Sequence, residues 1–106
     1  MFTRIVECNV KPEKKNEFEN KLRNEVLPIL RKQPGFVDLI ALQSEDEDER
    51  MVSISFWNSK QDAERYHREQ YSRITDMLKP LVKRDPQVTH YNVAHSTPHR
   101  IAVKAA

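Results

Sequence analysis

Two segments constrain the fold most: Phe36–Gln43 (FVDLIALQ) and Met51–Trp57 (MVSISFW) carry apolar side chains on both parities of a strand. Successive side chains of a strand point to opposite faces, so a strand with one wet face alternates apolar with polar. In the first segment Phe36, Ile40 and Leu42 share one parity, while Val37, Leu39 and Ala41 share the other. In the second, Val52, Ile54 and Phe56 oppose Met51 and Trp57. Between them runs Glu45, Asp46, Glu47, Asp48 and Glu49, which lacks the glycine and the spacing of a calcium loop and reads as a solvated hairpin tip. A sheet built on this hairpin needs cover on both faces.

The remaining chain supplies cover for one. Phe2–Val10 places Val6, Cys8 and Val10 on one parity and reads as the first strand. Pro12 suits the first turn of a helix, and Phe18, Leu22, Val26, Ile29 and Leu30 then fall near one stripe. Pro28 lies inside that pattern and predicts a bend or an early stop, and Gln33-Pro34-Gly35 ends the helix. Ser59 with Asp62 opens a second helix, whose stripe is Ala63, His67, Tyr71, Ile74, Leu78 and Leu81, with Tyr66 and Met77 at its margin. Pro80 disturbs its end, and Gln87–Ser96 reads as the last strand. The order β-α-β-β-α-β is that of an α+β, ferredoxin-like sandwich, a four-stranded antiparallel sheet with two helices on one face. Leaving ~400 Å² or more of the second apolar face in water is unusual for a monomer. Covering it is worth on the order of 10 kcal/mol before association costs. A homodimer with its sheets packed face to face is expected.

The 106 residues make a single domain, with residues 1–96 as its core and 97–106 as a tail containing Ile101 and Val103. A net charge of +2 leaves no strong footprint for nucleic acid. Arg65, Arg68, Arg73, Lys79, Lys83 and Arg84 are interleaved with Asp62, Glu64, Glu69 and Asp76, the pattern of a solvated, pair-laced helix face. The one glycine excludes Gly-rich phosphate loops, and the one cysteine, Cys8, excludes an internal disulfide. No apolar run approaches a membrane span, and Arg4 and Glu7 interrupt the N-terminal stretch where a signal peptide would be apolar. A cytoplasmic setting without a membrane partner is expected, with Cys8 as a packed thiol.

The chain resembles the antibiotic-biosynthesis-monooxygenase-like domains of the dimeric α/β barrel superfamily. The likeness is carried by Gln33-Pro34-Gly35-Phe36 leading into the second strand, by Phe56-Trp57-Asn58-Ser59-Lys60 leading into the second helix, and by the helix around Tyr66-His67. It spans Phe2 to about Ser96 and implies a dimer that closes into an α/β barrel. Such domains include cofactor-independent quinol and polyketide monooxygenases, haem-degrading enzymes and members without known activity. The haem-degrading branch has an asparagine on its first strand, and a tryptophan followed ten residues on by a haem-ligating histidine. The matching helix positions here are Tyr66 and Asp76, and the strand position is Glu7, with Asn9 nearby. Asp76 is no axial ligand, so haem degradation is disfavoured.

The resemblance therefore implies oxygenation of a small aromatic or quinol-type substrate without a cofactor. That chemistry needs a base for an acidic hydroxyl and an apolar pocket for the resulting anion. His67 is the candidate base, Tyr71 or Tyr66 orients the substrate hydroxyl, and Trp57 forms an apolar wall. The bland alternative is a polar edge of the core in a non-catalytic dimer that binds a small apolar ligand or stabilises a partner. His90 shares parity with Asn92 and Ala94 and reaches either the cavity or the dimer seam, which makes His90 and Asn92 candidate substrate-binding residues. His90 and His95 differ in parity and His99 follows Pro98, so no metal site is expected.

Overall fold

The strands read from parity assemble into one sheet in the order β2-β3-β1-β4, with every neighbouring pair antiparallel. A computed structural model describes residues 1–47 and 49–97; Asp48 of the hairpin tip, and His99, Ile101 and Val103 of the tail, lie outside the described residues. The elements are β1 (Phe2–Asn9), α1 (Lys15–Lys21), α2 (Leu27–Arg31), β2 (Phe36–Gln43), β3 (Arg50–Trp57), α3 (Lys60–Leu78) and β4 (Gln87–Asn92). This is the expected ferredoxin-like α+β arrangement. β4 is shorter than the sequence suggests and ends before His95.

Pro28 does not stop the first helical layer. Instead α1 passes into α2 through a π-helical turn, Leu22–Val26, in which the Leu27 N–H donates to the Leu22 carbonyl. Pro28 follows in the first turn of α2 and, having no N–H, leaves a carbonyl of the preceding turn without that donor. α3 begins as the sequence indicates: the Ser59 hydroxyl accepts from the Asp62 N–H at 3.2 Å.

Register partners in a sheet share a face, so its composition is read row by row. On the face under the helices the rows are Asn92–Phe2–Trp57–Phe36, His90–Arg4–Ser55–Leu39 and Val88–Val6–Ser53–Ala41. Phe36 belongs here, not with Ile40 and Leu42 as strict alternation suggests, because a bulge at Val37 shifts the register. Its ring packs edge-on against Trp57 at 5.6 Å. The opposite face carries an isoleucine row, Ile5–Ile54–Ile40, flanked by Val52 and Leu42 on one side and Phe56 on the other. Leu42 and Tyr91 on that face are 48% and 54% exposed.

Gly35 fixes the entry into β2. Its φ is +81°, and its carbonyl accepts from the Asn58 N–H at 2.8 Å, tying the end of the first helical layer to the start of the second. A Cβ at this position would overlap the Asp62 carboxyl group of α3. Gly35→Ala therefore combines left-handed strain with a steric clash and should cost ~2–4 kcal/mol. Urea unfolding is expected to show a lower midpoint at unchanged slope.

Candidate active site

The floor of the site is a run of small side chains. Ser55, Ser53 and Ala41 stand on the helix-facing side of β3 and β2, where larger residues would fill the interlayer space. Phe18, Leu22, Val26 and Leu30 from the first helical layer and Tyr66, Tyr71, Ile74 and Leu78 from α3 close over it. The resulting cavity is about 60 Å³. Leu22, Leu39, Ala41 and Met51 form walls both of this cavity and of a space of about 290 Å³ at the β2 edge.

Arg4 is the unexpected member. It shares the core-facing parity of β1 with Phe2, Val6 and Cys8 and is only 2% exposed. Removing a guanidinium from water costs several kcal/mol, and the usual remedy is a carboxylate. Among the described residues none pairs with it. Its guanidinium instead lies 5.0 Å from the Tyr66 ring centre and 4.7 Å from that of Tyr71, contacts worth about 2 kcal/mol each when desolvated. Nη2 donates to Nδ1 of His67 at 3.0 Å, while Nε has no partner. The Tyr71 hydroxyl, also in the cavity wall, is buried and unpartnered as well. Lone positive charge in the parity pattern of β1 was the sequence signal for Arg4.

The structure redistributes the sequence-predicted residues. Tyr66 occupies the centre of the buried face of α3 and is 4% exposed, whereas His67, expected on that stripe, lies at the exposed rim. His67 stacks on Tyr71 at 4.9 Å between ring centres. Because Nδ1 accepts from Arg4, neutral His67 carries its proton on Nε2. Trp57 is fully buried and stacks behind Tyr66 at 5.1 Å, and its indole N–H donates to the Ser55 hydroxyl. It supports the cavity wall without lining it. His90 pairs with Arg4 across β1 and β4 and stacks on Phe2 at 5.7 Å; Asn92 follows on the same face but is exposed.

Burial, then Arg4, then His90 hold His67 below the ordinary value of 6.5, and burial followed by Arg4 does the same to His90. Burial pushes Tyr66 up to about 12 and the Cys8 thiol up to about 11, and it raises Tyr71 against the pull of Arg4. At neutral pH the site thus holds one fixed cation, neutral imidazoles, neutral phenols and an inert thiol. It can orient a hydroxyl, accept a proton and stabilise negative charge.

The sequence profile of the antibiotic biosynthesis monooxygenase family matches residues 1–75, and the chain belongs to that family. Solved structures share its fold. SnoaB of Streptomyces nogalater, described as a cofactor-independent oxygenase, superposes with a TM-score of 0.78 at 20% identity, covering 92% of this chain and 96% of its own. The ActVA-Orf6 monooxygenase of Streptomyces coelicolor, solved with nanaomycin D, gives 0.78 at 17% identity over 91% and 89%. A conserved protein of Methanosarcina mazei Go1 gives 0.74 at 22% identity over 87% and 92%. A comparison with curated protein sequences finds no significant match. Among the described residues no group of three or more His, Cys, Asp or Glu is arranged to hold a metal ion, and no helix is long and apolar enough to cross a membrane.

The depressed histidines give the site a pH signature. Stability contributed by a group held below its unfolded value is complete above that value, here 6.5, and is lost as pH falls through the lower native one. Imidazole NMR titrations should show His67 and His90 midpoints below 6.5 in the native protein. Arg4→Met should raise both and narrow the difference in stability between neutral and mildly acidic solution.

Proposed function

We propose that this chain is a cofactor-independent monooxygenase of a small aromatic or quinol-type substrate, acting in the cavity between α3 and the sheet. The observation that carries the reading is an apolar cavity walled by Tyr71, whose hydroxyl is buried and without a partner among the described residues, with the exposed His67 stacked on the Tyr71 ring outside the cavity wall. The Tyr71 hydroxyl orients the substrate hydroxyl, and His67 accepts its proton. Tyr66, backed by Trp57, holds the ring; His90 and Asn92 stand on the same sheet face but outside the cavity wall. For a hydroquinone the balance is hydroquinone plus dioxygen to hydroxyquinone plus water. The substrate supplies all four electrons, one oxygen atom enters the ring and the other leaves as water. Oxygen uptake with a panel of hydroquinones and polyphenols should fall on the order of 100-fold in His67→Ala; equal rates would remove His67 from the mechanism.

A second reading, a non-catalytic binder of a small apolar ligand, draws support from the 60 Å³ of the inner cavity and the rim position of His67. It predicts binding without oxygen uptake for every member of the panel.

The isoleucine row supports a second part of the proposal: two chains pair sheet to sheet and close an α/β barrel; the proposed setting is cytoplasmic. Each side chain in the row then meets its two-fold mate's surface. Light scattering at micromolar concentration should give a two-chain particle for the native protein and a single-chain particle for Ile54→Glu. A native single-chain particle would refute the pairing.

A further inference from the structure

Arg4 is a cation built into the wall of a cavity without an anion to match it among the described residues. It is 2% exposed, and its Nε has no hydrogen-bond partner among the described residues. The other unpartnered polar atom of the same cavity is the Tyr71 hydroxyl, whose ring lies against the same guanidinium at 4.7 Å. Two buried donors lacking acceptors, one of them charged, describe the complement of a negatively charged oxygen. The surrounding surface carries the rings of Tyr66 and Tyr71 on the α3 side and that of Phe18 among Leu22, Val26 and Leu30 on the side of the first helical layer, apolar neighbours that suit a ring.

We propose that Arg4 and Tyr71 form the seat for an anionic oxygen borne on a flat conjugated ring, so that the site takes its aromatic ligand as the oxyanion. This rests on the cavity being the substrate site of the reading above and names the ionisation state of what binds there. Charge placed at Arg4 also changes His67. The guanidinium now donating to Nδ1 is the same group that the oxyanion engages, so substrate and imidazole compete for it. As Arg4 turns to the ligand, the Nδ1 lone pair is released and can take the proton that the ring hydroxyl gives up. The hydroxyl O–H bond breaks, its electron pair stays on oxygen beside Arg4, and the proton passes to Nδ1. The other ionisable groups facing the seat are Tyr66 and Tyr71 of α3, His90 of β4 and Cys8 of β1, with Asp85 acting on Tyr71 and Lys60 and Glu64 on His90. Among these only the histidines have ordinary ionisation values near neutrality.

The test uses the full chain and para-nitrophenol, a chromophoric phenol whose ionisation changes its visible absorbance. With the native protein the bound probe should ionise about one pH unit or more below the free probe, equivalent to at least tenfold tighter binding of the phenolate than of the phenol. Arg4→Met should abolish the shift, Tyr71→Phe should reduce it, and Arg4→Lys should keep part of it. Arg4→Lys and Tyr71→Phe carry the test if Arg4→Met does not fold. Failure of the probe to bind, an unshifted midpoint in the native protein, or a full shift retained in Arg4→Met overturns the proposal. Benzoate as competitor separates the sources of the oxyanion: displacement of the probe extends the seat to ring carboxylates, and no displacement assigns it to phenolates. An Arg4-dependent shift without oxygen uptake upholds the seat and removes the monooxygenase reading. Oxygen uptake with an unshifted probe does the reverse.

Discussion

A guanidinium held out of water with no carboxylate beside it among the described residues is the constraint around which this protein is arranged. Arg4 enters the interlayer space because it shares the parity of Phe2, Val6 and Cys8, and nothing on β1 can turn it out without turning those three out as well. The solution is aromatic: Tyr66 and Tyr71 face the cation, Trp57 fixes Tyr66 from behind, and Nδ1 of His67 takes one N–H. Each of these side chains is placed by the cation or by its neighbour. The small Ser53, Ser55 and Ala41 leave the volume in which this arrangement fits.

The two faces of the sheet divide the work. The helix-facing side holds a cavity, a charge and hydroxyls. The opposite side holds branched aliphatics in register across three strands. The proposed chemistry and the proposed association therefore occupy separate surfaces of one four-stranded layer, and Ile54 is not among the residues that line the cavity. The family's profile and the fold shared with SnoaB and ActVA-Orf6 establish the architecture without fixing what this chain acts on.

Strand and helix identity were legible because they follow from parity, stripe and cap: the hairpin, the Ser59 start of α3 and the Gly35 turn all stand where the sequence puts them. What was not legible comes from single-residue slips. A bulge at Val37 moves Phe36 to the other face, and no local residue type announces it. Tyr66 and His67 are adjacent on α3, about 100° apart, so a small rotation of the helix decides which is core and which is rim. Arg4 was visible as a charge in an apolar phase, yet its meaning needed the neighbours that only the folded chain brings: Tyr66, Tyr71, His67 and the unfilled space beside them.

The π turn between α1 and α2 acts as a phase correction. Phe18, Leu22, Val26 and Leu30 repeat every four residues, and all four wall the cavity. Around a regular helix such a repeat drifts ~40° at each step, roughly a third of the circumference over three steps. One wide turn in the middle absorbs much of that precession and keeps the four side chains pointing the same way. The helix spends one irregular hydrogen-bond ring, placed next to a proline that lacks a donor anyway, to hold a straight apolar ridge over the sheet.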